Sequence, residues 1–233
     1  MSGLQINEEL YNYTLHYSKR RSLAIQVKAG KVIVRAPLTL PKTKITDFLQ
    51  QKQQWILNKI QSTARLTTPC WLAEKRIPLF ETILQLDIQQ GRKSSVQQHQ
   101  DRLIVTISSR VNSERVNLVQ QQLIINWYKQ QALDWFTIRV QYWQQLLKVQ
   151  ATEIIIGGWS SKWGYCRSDG RLGFNWRLLM APTWVADYVA LHEVCHLRYL
   201  NHSSQYWQLV RKHCADIEQA KQWLKDNQHK LVI

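Results

Sequence analysis

The chain has 233 residues, enough for one large domain or two small ones with a sizeable core. Its 31 Lys and Arg against 16 Asp and Glu leave a formal charge of +15, which suits nucleic acid or an acidic protein as partner as well as a plain soluble basic surface. No apolar run reaches the roughly 18 residues of a membrane span, and no charged-then-apolar leader opens the chain, so a cytoplasmic protein without a membrane partner is expected.

Likely-charged clusters are short, as in Lys19-Arg20-Arg21, and no recognition helix, zinc finger or RNP pattern is present. Nucleic acid therefore stands as a candidate partner on charge alone. The four cysteines, Cys70, Cys166, Cys195 and Cys214, lack C-x-x-C spacing and read as free thiols.

In chain order, strands are expected around residues 11–17, 22–29 and 31–37, with a hairpin turn at Ala29-Gly30. Pro41 suits the first turn of a helix running to Ile60. Two alternating stretches follow, Ile83 to Ile88 and Leu103 to Ile107, separated by a polar, loop-like segment from Gly91 to Gln100. This first part, 1–111, reads as a β-rich region with one helix and no recognisable chemistry.

The second part, 112–233, opens with a helix from Ser113, its candidate N-cap, to Leu147. Trp127, Trp135 and Trp143 recur along it and read as core. Strand Glu153 to Ile156 follows. A hairpin then runs from Ser160 through Cys166, turns at Asp169-Gly170 and returns along Arg171 to Trp176. Pro182 opens the next helix, where its missing N–H costs nothing. No internal repeat and no low-complexity tract is visible.

That helix carries His192-Glu193-Val194-Cys195-His196, an H-E-x-x-H pattern. Residues four apart share a helix face, so the two imidazoles stand one turn apart, able to grip one metal ion, with Glu193 beside them as a general base rather than a ligand. Trp184, Tyr188, Val189, Leu191, Cys195 and Leu200 recur mostly at three- and four-residue steps, as a helix requires. Cys195 points off the metal face and reads as packing. His202 follows six residues after His196 and is the natural third ligand, since catalytic zinc takes three protein ligands and leaves one position open.

The spacing of His192, His196 and His202 matches the metzincin pattern, but Tyr199 occupies its glycine position, where a bulky residue resists the sharp turn. A metzincin is therefore rejected. Asn201 is the better candidate for a left-handed turn, with Ser203 or Ser204 capping a following helix.

Two segments resemble the YgjP/SprT-like, WLM-related zinc metallopeptidases. Trp163-Gly164-Tyr165-Cys166, with Gly173, Asn175-Trp176-Arg177-Leu178 and Ala181-Pro182, is similar to the family's W-G-S-C…G…N-W-R-L…A-P stretch. His192 to Trp207 is similar to H-E-x-x-H-L-x-H-x-N-H-S-x-x-F-W. Weaker similarity runs through Arg20-Arg21, Val34-Arg35-Ala36-Pro37 and Trp55-Ile56. Tyr165 and Tyr199 depart from the family's usual Ser and His. The resemblance implies zinc on His192, His196 and His202, with Glu193 as catalytic base.

The expected fold is α+β and zincin-like, of a minimal gluzincin type: a backing helix, a small antiparallel sheet and the H-E-x-x-H helix, preceded by the β-rich region. The expected chemistry is zinc-dependent hydrolysis of peptide bonds in an unfolded or extended polypeptide, with Tyr165 or Arg177 as candidate oxyanion stabilisers. Two other functions stay open. One is a nucleic-acid-associated metalloprotein acting on DNA-bound proteins, by analogy with SprT-like relatives. The other is a non-enzymatic zinc protein with Cys166 or Cys214 as fourth ligand.

Overall fold

The computed structural model describes residues 2–6, 9–28, 31–65 and 70–233, and the chain divides into two compact units, Met1–Thr67 and Thr68–Ile233. The expected boundary between 111 and 112 therefore does not coincide with the division of the chain. The strands of residues 76–108 share one core with the long helix that follows, because their apolar face has no other cover.

The first unit holds β1 (Ser2–Ile6), β2 (Glu9–Ser18), β3 (Ala24–Lys28) and β4 (Lys31–Pro37) in the order β1-β2-β4-β3. β2 and β4 run parallel, and the outer pairs are antiparallel. Alternation on β4 puts Val32, Val34 and Ala36 into a core with Ile45, Leu49, Ile56 and Leu57. The expected turn at Ala29-Gly30 lies outside the described residues. The single helix expected to Ile60 is two, α1 (Lys42–Gln51) and α2 (Gln53–Arg65), interrupted at Lys52. No Gly or Pro marks that break. It lets α1 follow β1 and α2 follow β3, at opposite edges of the sheet.

The second unit begins with β5 (Arg76–Leu79), β6 (Thr82–Gly91), β7 (Ser95–His99) and β8 (Arg102–Ser108), in the order β5-β6-β8-β7. β6 and β8 are parallel, the outer pairs antiparallel. This is the topology of the first sheet over again, a structural repeat that the sequence does not display, since strand order is set by pairing and not by residue identity. The expected loop from Gly91 to Gln100 contains β7. As an exposed edge strand it has only Val96 facing inward, so it lacks the alternation that marks a strand.

A short 3-10 turn at Ser113–Arg115 precedes α3 (Val116–Leu147). Asn112, not Ser113, caps it: its Oδ1 accepts from Glu114 N–H at 3.0 Å. α3 spans about 48 Å at ~1.5 Å per residue. Ile124, Tyr128, Ala132, Phe136 and Val140 form one buried stripe at four-residue steps. Trp143 is buried as expected, while Trp127 and Trp135 pack half-buried beside the stripe.

β9 (Glu153–Gly157), β10 (Gly164–Cys166) and β11 (Arg171–Asn175) form a third sheet, ordered β10-β11-β9. The hairpin β10–β11 is antiparallel, but β9 joins β11 in parallel, so the sheet is mixed rather than antiparallel as expected. Gly170, at φ 83°, makes the turn, and Asp169 Oδ1 accepts from Arg171 N–H at 3.2 Å. Phe174 of β11 stacks on Phe136 of α3, centroids 4.2 Å apart, which fixes this sheet to the backing helix. α4 (Thr183–His196), α5 (Ser204–His213) and α6 (Ile217–Asn227) complete the unit. Among the described residues no helix is long and apolar enough to cross a membrane.

Candidate metal centre

Pro182 caps α4 with extended ψ of 147°, and Thr183 begins the helix, where Glu81 accepts from its backbone N–H and its Oγ1, both at 2.7 Å. A carboxylate suits that position because it faces unpaired N–H groups and the positive end of the helix dipole. Burial pushes Glu81 up, but the hydrogen bonds from Thr183 outweigh it and hold the carboxyl below its ordinary value. α4 is apolar almost all round and buried to match, Val185 through Cys195 sitting between α3, β10 and α6. A buried helix is a stiff platform for side chains that must not move.

From this platform His192 and His196 project on one face, and the chain brings His202 back to them. After Leu197, Tyr199 N–H still reaches Cys195 C=O at 3.1 Å, so the last turn tightens rather than unwinding at once. Asn201 is not among the residues with positive φ, so the expected left-handed turn there does not form. The redirection comes from Ser203, whose Oγ accepts from Tyr206 N–H at 3.3 Å and starts α5.

The result is convergence. His202 Nε2 lies 3.2 Å from His196 Nε2 and 3.2 Å from His192 Nε2. Ligands about 2.0–2.1 Å from one tetrahedral ion stand ~3.3 Å apart, so the three nitrogens fit a single metal ion. Three neutral imidazole lone pairs aimed at one point would repel one another without a cation between them. Tyr199 C=O accepts from His196 Nδ1 at 2.9 Å, which leaves the Nε2 lone pair of that ring for the metal. His192 Nδ1 is buried with no partner. Burial, reinforced by His196 and His202, lowers His192 to about 3, and burial lowers His196 as well. Burial thus favours the neutral, metal-binding form of both rings.

Glu193 is 6% exposed. Burial pushes its carboxyl up to about 8, with Lys162 pulling the other way. A cation on the histidines would favour its charged form. β10 supplies the facing wall: Trp163, Gly164, Tyr188, His192 and Glu193 line a cleft of about 450 Å³.

Sequence reasoning assigns no role to Tyr206, Trp207 or Gly164, and the structure gives each one. The Tyr206 ring stacks on His196, centroids 4.4 Å apart, and its Oη donates to His192 C=O at 3.0 Å. Trp207 stacks on His202 at 5.4 Å. Their sequence signals are helical spacing after the Ser203 cap and their place in the family-like segment, neither of which assigns them a contact.

The structure does not bring Tyr165 or Arg177 into the cleft. Tyr165 lies across Gly173 and beside Trp159, and Arg177 lies over the ring of Trp176 at 4.4 Å. Nor do Cys166 and Cys214 join the histidines: among the described residues, the group able to hold a metal is His192, His196 and His202. Cys195 is fully buried, and burial raises its thiol to about 12, as a packing residue requires.

No curated protein matches the chain. Among solved structures, the metallopeptidase zymogen of Pyrococcus abyssi abylysin is similar at 17% identity, covering 42% of this chain and 99% of its own, with a TM-score of 0.37. A family model described as YgjP-like, metallopeptidase domain matches residues 21–227. With nearly the whole chain inside that match, the protein belongs to the YgjP-like metallopeptidase family and is a metal-dependent hydrolase of the peptidase class.

Proposed function

We propose that this enzyme is a zinc peptidase in which His192, His196 and His202 hold the metal and Glu193 is the general base. The observation that carries it is the approach of His202 Nε2 to 3.2 Å from both His192 Nε2 and His196 Nε2, beside a buried carboxylate in an open cleft. A donor set of three imidazoles suits zinc, with a position left for substrate. Zinc, when bound, polarises the scissile carbonyl and acidifies water.

The protein's own groups do the rest. Glu193 accepts the proton of the attacking water and passes it to the leaving amine. Its burial supports this, since a carboxylate shielded from bulk solvent exchanges its proton with the reacting groups in the cleft. β10 is an edge strand beside the cleft, and an extended polypeptide can pair with it by strand addition. That favours unfolded segments as substrates. Four free cysteines agree with a reducing, cytoplasmic setting.

Zinc-loaded wild type and Glu193→Gln are compared for cleavage of an unfolded protein such as casein. The wild type is expected to cleave, and Glu193→Gln to keep its zinc and lose about 10²–10⁴-fold in turnover. Equal turnover would remove Glu193 from the mechanism.

A further inference from the structure

The wall of the cleft opposite β10 is built by α6. Lys221, Leu224 and Lys225 stand at i, i+3 and i+4 on that helix, with Gln228 at its C-cap, and all four line the same cleft as His192 and Glu193. Leu224 is buried and anchors the face. The two lysines on either side of it are held differently. Lys221 Nζ sits 4.3 Å over the Trp207 ring and 2.8 Å from Glu218 Oε1. The aromatic platform therefore fixes its direction rather than leaving it to sweep solvent. Lys225 is exposed, and among the described residues no carboxylate pairs with it.

Among the described residues Glu193 is the only carboxylate lining this cleft, and the base role commits it to the reacting water. The α6 wall is therefore net positive: Lys221 has Glu218 beside it, and Lys225 has no carboxylate partner among the described residues. Trp207 joins the two halves: it stacks on His202 on one side and carries Lys221 on the other, so the positive wall is tied to the metal centre by a shared ring.

We propose that Lys221 and Lys225 select substrates by a carboxylate placed within a residue or two of the scissile bond. The inference rests on the peptidase reading above for what the cleft does, and names the class of chain it takes. The carboxylate belongs to an Asp or Glu side chain or to a free C-terminus. Either meets the two ammonium groups, whereas a basic residue in the same place is repelled, so selectivity comes from attraction and exclusion together.

The test uses the full-length, zinc-loaded chain carrying Glu193→Gln, so that binding is read without turnover. The probes are extended peptides with an uncharged fluorophore, identical but for one position. They carry an amidated Ala end, an amidated end with an internal Glu, an amidated end with an internal Lys, or Ala with a free C-terminus. By fluorescence anisotropy at low salt, the Glu or free-terminus peptide is expected to bind about three- to tenfold tighter than the Ala amide, with the Lys peptide weakest. Which of the two gains shows whether the recognised group is a side chain or a terminus. Added salt shrinks the difference.

Lys221→Glu/Lys225→Glu is expected to reverse the order, and Lys221→Gln/Lys225→Gln to flatten it. Arg92→Glu/Lys93→Glu, two exposed positions outside the cleft, is expected to leave the order intact, which separates the local wall from the net charge. Equal binding of the Glu and Lys peptides, no binding of any of them, or an order that follows Arg92 and Lys93 overturns the inference. Wild-type turnover of the Ala amide peptide judges the peptidase reading separately. Carboxylate preference without turnover sinks that reading alone, and turnover without preference sinks this inference alone.

Discussion

Gly164 of β10 lies so close to Glu193 that a Cβ added there would stand 2.6 Å from Glu193 Oε1 and 2.7 Å from its Cγ. The backbone of the edge strand and the carboxylate of the metal helix share one space, and only glycine leaves it free. Gly164→Ala must displace the Glu193 side chain, since the strand is held by pairing with Phe174. A shift of about 1 Å in a reacting group costs on the order of 10²-fold. The variant is expected to bind metal as the wild type does and to lose about 10²-fold in casein cleavage. Normal turnover would show that Glu193 has slack.

His202 lies outside the metal helix and is exposed, so its removal leaves the fold of α4 intact. His202→Ala is expected to lower bound zinc well below one per chain by mass spectrometry of the purified protein. Chelation of the wild type should lower its melting temperature, because a ligand bound only to the native state stabilises it by mass action. Full zinc content in His202→Ala would remove it from the ligand set.

Asp187 receives Arg139 Nε at 2.8 Å and Nη2 at 2.7 Å, and Trp143 Nε1 at 2.8 Å. This joins the backing helix to the metal helix five residues before His192. Both side chains are only partly exposed, 29% and 25%. Asp187→Ala leaves a guanidinium and an indole N–H without their acceptor. The expected cost is about 2–3 kcal/mol in urea unfolding. A cost under about 0.5 kcal/mol would show that water replaces the carboxylate fully.

Glu81 makes stability pH-dependent at the start of α4. Its carboxyl is depressed in the folded state by the Thr183 bonds. The charged form is therefore the stabilising one: its contribution is complete above the unfolded Glu value of about 4.3 and disappears as pH falls through the lower folded value. Glu81→Gln is expected to destabilise by up to about 1 kcal/mol at pH 7, screening at this exposed site reducing it, and the difference from wild type should shrink as pH falls below about 4.3 and close below the folded value. A difference that persists in acid would assign the effect to packing.

How much of this was legible beforehand differs from element to element. Glu193 and the pair His192 and His196 were readable because i, i+4 spacing on a helix is geometry that sequence encodes directly, whereas the fold is what carries His202 back to them. Strands β4, β6 and β8 were readable from alternation. β7 was not, because an edge strand with one inward apolar residue, Val96, has no hydrophobic period. Asn112 rather than Ser113 caps the 3-10 turn that leads into α3, because both residues are capable caps and the choice depends on where the chain leaves β8.

The sequence by itself determined which histidines are candidate metal donors and that two of them, His192 and His196, share one face of a helix, since those follow from short-range spacing. Only the tertiary structure decided that β9 pairs with β11 in parallel, that the two four-stranded sheets share one topology, and that Tyr165 and Arg177 stay out of the cleft. It also decided that Gly164 and the α6 lysines enter it. The reason is physical: these are contacts between residues distant in the chain, fixed by how buried faces pack against one another, and a linear pattern carries no record of which face meets which.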